Sequence, residues 1–252
     1  MIESILLTTT PIATFLGQQR LTNATGFFFE RDDRLFLVTS RHVLWDAPSE
    51  HAPDRIEIEL HTDPENVAAF TGFSIPLYRD GKSVWHQAID SAGEIDVAAI
   101  EIDRTALPRP VTLRSFTPQH LLGEHDTVEI GTPTLIVGFP LGFHDQLHHT
   151  PVARQAILAS SFGLRFQGEG YFLTDGRTHR GSSGAPVVMR LARPGPARRD
   201  LPWVLLGVHS ARLDVGMRDV DRDEALGLNC AWYADILLTL TQTRRTHVVT
   251  DG

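Results

Sequence analysis

The sequence predicts an all-β fold in two lobes, and three observations carry that expectation. Short apolar runs broken by Gly, Pro, Asp and Asn dominate, with 20 Gly and 15 Pro among 252 residues, the spacing of strands and turns rather than of helices. Arg55 to His61 (Arg-Ile-Glu-Ile-Glu-Leu-His) alternates strictly between polar and apolar, the period-two signature of a half-buried strand. Helical periodicity is scarce and is best developed in Tyr233-Ala234-Asp235-Ile236-Leu237-Leu238-Thr239-Leu240 near the C-terminus. Many short strands at close spacing argue for barrels or a sandwich, and Pro108-Arg109-Pro110 marks the crossing between the two halves. No repeat at a solenoid or propeller period is present.

In chain order, Thr25-Gly26-Phe27-Phe28-Phe29 runs through the polar turn Arg31-Asp32-Asp33-Arg34 into Leu35-Phe36-Leu37-Val38-Thr39. Two aromatic or aliphatic runs about an Asp-rich turn predict a β-hairpin, and consecutive phenylalanines in a strand must face opposite sides of it. Further strands are predicted at 55–61, 96–102, 134–138, 185–189 and 203–208. Arg193-Pro194-Gly195-Pro196-Ala197-Arg198-Arg199-Asp200 reads as a charged surface loop.

Composition narrows the function. The apolar fraction is 42% and the charged fraction 21%, which is too apolar for a disordered chain. Lys+Arg total 23 against Asp+Glu 31, a net charge of −8, and no polybasic stripe is available to neutralise phosphates, so nucleic acid is not an expected partner. No apolar run approaches the roughly 20 residues that span a bilayer, and the first residues lack the basic and apolar regions of a signal peptide. One cysteine, Cys230, excludes an internal disulfide framework and reads as a small buried hydrophobe. The expectation is a cytoplasmic protein with no cofactor and no membrane association.

Three local patterns carry chemistry. Leu37-Val38-Thr39-Ser40-Arg41-His42 places a histidine just past an apolar strand. Gly93-Glu94-Ile95-Asp96-Val97-Ala98-Ala99 puts an aspartate at the mouth of another, and Gly181-Ser182-Ser183-Gly184-Ala185-Pro186 sets serine among small residues before a third. A serine hydroxyl is a weak nucleophile that needs an adjacent base. Histidine supplies that base near neutral pH, and an aspartate on the far imidazole nitrogen fixes its tautomer. Glycines around Ser183 let backbone N–H groups converge on one oxygen.

These residues, in the order His42, Asp96, Ser183 and spaced 54 and 87 residues apart, resemble the chymotrypsin-like (trypsin-fold) serine peptidases over about residues 20–240. The resemblance implies two six-stranded antiparallel β-barrels, at about 12–112 and 113–232, followed by a short helix at about 233–243. It implies His42, Asp96 and Ser183 as the catalytic triad, an oxyanion hole from the N–H groups of Gly181 and Ser183, and a protein or peptide substrate that adds as a strand beside Ser210 and Ala211. Thr174 to Gly184, with Val137-Gly138-Phe139-Pro140-Leu141-Gly142, is similar to the bacterial HtrA-like and glutamyl-endopeptidase branches, here without a PDZ domain. Ser182 stands where the digestive enzymes carry the aspartate that pairs with a freshly cut N-terminus, and is read as a backbone spacer.

Gly207-Val208-His209-Ser210, with Thr178 five residues before the nucleophile, resembles the specificity segment of glutamyl endopeptidases and viral 3C-type peptidases. The resemblance implies a hydroxyl and an imidazole N–H donating to the terminal oxygens of Glu, and after it Gln, at P1. Arg177, Arg180 and Arg212 add cationic character, and Asp175 is expected to support the pocket. His144, His148 and His149 fall in a loop with no second cluster to close a zinc site, so no metal is expected. An α/β-hydrolase is opposed by the chain order and by the strand, not helix, after Ser183. The remaining alternative is a latent or inactive peptidase fold that binds peptides or a partner and needs activation, as by a regulatory protein that orders residues 180–183.

Overall fold

The computed structural model describes residues 2–124, 126–212 and 227–242, with Ala211 and Arg212 described by backbone alone. The first half is an antiparallel sheet of β1 (Thr9–Leu16), β2 (Gln19–Arg31), β3 (Arg34–Thr39), β4 (Arg55–His61), β5 (Phe70–Pro76), β6 (Trp85–His86) and β7 (Ala98–Ile102). Its strand order is β5-β4-β1-β2-β3-β7-β6. The second half is a closed six-stranded barrel of β8 (Pro133–Gly138), β9 (Val152–Leu158), β10 (Tyr171–Asp175), β11 (Pro186–Arg190), β12 (Trp203–Arg212) and β13 (Leu228–Tyr233). The all-β double-lobed fold is as expected. Where the resemblance implied a six-stranded first barrel, the structure has a seven-stranded sheet, because the two-residue strand β6 adds beyond β7 at Ala99↔His86 and Ile100↔Trp85. The C-terminal helix is shorter than 233–243: α2, as numbered after the single turn α1 (Arg41–Leu44), spans Ile236–Leu240. Tyr233 is instead held in the barrel opposite Gly207.

Local chemistry explains the elements. β2 and β3 pair from Phe27↔Val38 to Arg31↔Arg34, and the two residues between, Asp32 and Asp33, both have positive φ, 51° and 60°. That is the conformation a two-residue hairpin requires, and Asp tolerates it. β4 shows the predicted alternation, with Ile56, Ile58 and Leu60 buried.

Among the described residues three apolar cores result. Ile12, Phe28, Leu37, Ile56, Ile58 and Ile100 fill the first half. Ile136, Leu158, Phe172, Val187 and Leu206 fill the second barrel. The third core joins Phe27, Phe29, Phe36 and Val97 of the first half to Val137, Val188, Leu205 and Leu237 of the second. The three phenylalanines divide as pleating demands, Phe28 inward and Phe27 and Phe29 toward the partner lobe. Among the described residues no helix is long and apolar enough to cross a membrane.

Candidate active site

His42 sits in the one-turn helix α1, directly after β3. Val43 and Leu44 bury the turn in the first core, which leaves His42 facing away, its side chain 32% exposed. Its Nδ1 lies 2.7 Å from Asp96 Oδ2, and its backbone N–H donates to Asp96 Oδ1 at 2.8 Å. Asp96 precedes β7 and also accepts a hydrogen bond from Ser210 Oγ of β12 at 2.5 Å. One carboxylate thus receives donors from both halves. Burial opposes its ionisation, but His42 and the Ser210 hydroxyl outweigh burial and hold it below the usual carboxylate range. For His42, burial likewise disfavours the cation, yet the Asp96 hydrogen bond and charge prevail and raise its pKa above the ordinary histidine value. The Cys230 thiol is pushed up to about 12 by burial and the nearby Asp96 charge, so it offers no thiolate at neutral pH.

Ser183 lies in the loop before β11, and its backbone is fixed from the other half of the molecule. Thr25 of β2 donates its N–H to Ser183 O at 2.9 Å and its hydroxyl to Gly181 O at 2.7 Å. The same hydroxyl accepts the Phe139 N–H at 3.0 Å. Two further carbonyls are held: Arg180 O by Leu141 N–H at 2.5 Å, and Ser182 O by Ala185 N–H at 2.9 Å. In a trans peptide the N–H points opposite its own carbonyl. The N–H groups of Gly181 and Ser183 are therefore oriented, and among the described residues neither has a protein acceptor. Only glycine fits at 181, where φ is +92° and a Cβ would lie 2.5 Å from Phe139 O. At Gly184, with φ +85°, a Cβ would meet Thr25 O at 2.2 Å. Ser183 Oγ donates to Ser210 O at 2.9 Å, not to His42.

The structure brings together His42, Asp96, Ser183, Gly181 and Ser210. Ser182 is buried, its N–H spent on His179 O at 3.1 Å, which suits a spacer. His209 is buried in β12, its carbonyl accepting the Gly184 N–H at 2.7 Å. Thr178 is buried too, and its hydroxyl proton goes to Asn229 Oδ1. The Asn229 amide cannot turn to release it, because Nδ2 donates to the carbonyls of Thr174, Gly176 and Gly227 at 3.3, 2.8 and 3.1 Å. Thr178 thus presents lone pairs only, contrary to the donor role its sequence position implied. Arg177, Arg180 and Asp175 are exposed, and the Arg212 side chain lies outside the described residues. Thr25 and Asn229 had no sequence signal beyond being polar residues in apolar strands. A buried hydroxyl or amide there requires partners, and the partners lie far along the chain.

An antiparallel double-lobed fold with serine, histidine and aspartate gathered between the lobes defines the class of double-barrel serine peptidases. A model of the trypsin-like peptidase domain matches residues 24–193, a span that contains all three residues, and the chain belongs to that family. In structure it is similar to the serine endoprotease from Yersinia pestis, with a TM-score of 0.55 and 14% sequence identity over 94% of this chain and 62% of that one. The chain thus spans under two thirds of that relative's length. No curated protein matches the sequence.

Proposed function

We propose that the chain is a serine endopeptidase working through a Ser183 acyl-enzyme. The observation that carries this reading is the pair of oriented, acceptor-free N–H groups at Gly181 and Ser183 beside an imidazole tied to Asp96. An extended substrate adding as a strand at 210–211 donates its own N–H to Ser210 O. Ser183 then loses its present acceptor and turns to His42 Nε2. His42 takes the hydroxyl proton as Oγ attacks the scissile carbonyl, Asp96 stabilises the imidazolium, and the two N–H groups receive the oxyanion. His42 returns the proton to the leaving amine, and water repeats the sequence on the ester.

At P1 the donor falls to His209, with Thr178 accepting. A Gln amide uses both, its oxygen toward His209 and its N–H toward Thr178, whereas a Glu carboxylate meets lone pairs at Thr178. The ranking from the resemblance is therefore inverted, Gln ahead of Glu. A peptide library cleaved mainly after Lys, Phe or Leu would refute the pocket.

Labelling by a fluorophosphonate probe tests the enzyme reading. Label is expected on wild type and on Ser182→Ala, and lost from Ser183→Ala and His42→Ala; label retained by Ser183→Ala overturns it. One observation favours a second reading, a latent peptidase fold: the Ser183 hydroxyl is bonded to Ser210 O and not to the base. A folded wild type that takes no label, and takes it once a regulatory protein contacts residues 180–183, would favour latency. The protein or peptide substrate follows from the reaction, and a chain with one cysteine suits the reducing cytoplasm.

A further inference from the structure

The loop between β8 and β9 carries histidines that the site above does not use. Sequence alone shows no fourth residue to join them, but the fold brings Glu59 of β4 to the same place. His149 Nδ1 lies 2.8 Å from Glu59 Oε2, and the His149 ring stacks on Phe70 with centroids 3.4 Å apart. His144 and His149 rings are 5.7 Å apart. One donor atom from each of Glu59, His144 and His149 lies within 4.8 Å of the others.

We propose that Glu59, His144 and His149 form a zinc site that straps the second half's 143–150 loop to the first half. Two imidazoles and a carboxylate are the donor set that borderline-soft Zn2+ takes, with the fourth position left to water. His144 arrives prepared for this: its Nδ1 is 2.7 Å from Gly142 O, an N–H donated to a carbonyl that leaves Nε2 with its lone pair outward, as in metal-ligating histidines. On binding, the proton between His149 Nδ1 and Glu59 moves to His149 Nε2, so the imidazole stays neutral and Nδ1 and the carboxylate both become ligands. Ligands on a tetrahedral ion with bonds near 2.0–2.1 Å sit roughly 3.3 Å apart, so side-chain rotations alone close a cluster already within 4.8 Å. The loop so anchored continues directly from Leu141, whose N–H holds Arg180 O beside Gly181. Among the described residues His148 lies outside the set, which comprises only Glu59, His144 and His149; its Nδ1 instead meets Asp145 Oδ2 at 2.7 Å.

The proposal does not depend on the peptidase reading. Its test is calorimetric titration of chelator-treated full-length protein with Zn2+, in parallel with Co2+ titration followed by the visible bands of a four-coordinate ion. Wild type and His148→Ala are expected to bind one ion per chain with the same affinity, and His144→Ala and Glu59→Gln to weaken it by about 10-fold or more, with circular dichroism unchanged in all. All four positions are at least partly exposed, so the variants should fold. Should a variant not fold, the thermal midpoint of wild type with and without Zn2+ still decides: a rise saturating at one equivalent supports the site, and no rise overturns it. Absence of one-to-one binding, binding that survives His144→Ala and Glu59→Gln alike, or loss with His148→Ala equal to that with His144→Ala each overturns the proposal.

Discussion

Thr25→Val removes one oxygen and keeps the side chain's shape, yet it should damage both stability and the nucleophile loop. The Thr25 hydroxyl is completely buried, donates to Gly181 O at 2.7 Å and accepts from Phe139 N–H at 3.0 Å. Valine leaves a carbonyl and an N–H buried without partners. Each orphaned group costs about 1–3 kcal/mol, so the loss should be at least about 2 kcal/mol. The Gly181 carbonyl belongs to the peptide next to the one that aims the Gly181 N–H, and loosening it should misplace one oxyanion donor. A lost donor of this kind costs about 100- to 1,000-fold in kcat; a displaced one should cost at least about 10-fold, with KM little changed. Urea unfolding measures the first quantity, and the rate of fluorophosphonate labelling the second. A Thr25→Val protein within about 0.5 kcal/mol of wild type and labelled at the wild-type rate would refute the assignment of Thr25 as the tie between the lobes.

Other expectations follow from the same geometry. The raised His42 pKa places the acid limb of kcat/KM above the ordinary histidine value of about 6.5, because the base must be neutral to act. Asp96→Asn removes the Asp96 hydrogen bond and charge and leaves burial, the largest cause, with the lesser and opposed charges of Asp46 and Arg41, so the limb should move below that value while kcat falls about 10,000-fold, the loss associated with this change in serine peptidases; a limb that does not move in the pH–rate profile would count against the pairing. Gly181→Ala must displace Phe139 O from 2.5 Å at a φ of +92°, and should abolish labelling while lowering the thermal midpoint. Asn229→Ala releases the Thr178 proton, so the P1 profile should shift from Gln toward Glu; an unchanged Gln-to-Glu ratio in a peptide library would show that Thr178 does not face the substrate.

The elements legible in the sequence were those set by local pattern. The β2–β3 hairpin, the alternation of β4, and His42, Asp96 and Ser183 each carry their signal within a few residues. What stayed hidden depends on residues distant in sequence: Thr25 and Gly181 are 156 apart, Ser210 and Asp96 are 114 apart, and His149 and Glu59 are 90 apart. No local pattern encodes such pairs. Thr178 shows the consequence. Its position was visible, but the direction of its proton was set by Asn229, 51 residues on. The helix begins later than its periodicity predicts for a similar reason, since Tyr233 has strand partners that periodicity does not see.

The core shared between the lobes has a consequence for the order in which activity appears. Ile5, near the beginning of the chain, and Leu237 and Leu240 of α2, near its end, are buried in that same cluster. A growing chain makes His42 and Asp96 early and Ser183 much later. The strand carrying Trp232 and the helix carrying Leu237 come later still. Until they are made, the phenylalanines of β2 that face the second lobe have no complete surface to cover them, and the tie from Thr25 to the nucleophile loop has no settled frame. Folding of the shared core and assembly of the His42, Asp96 and Ser183 site are then one event.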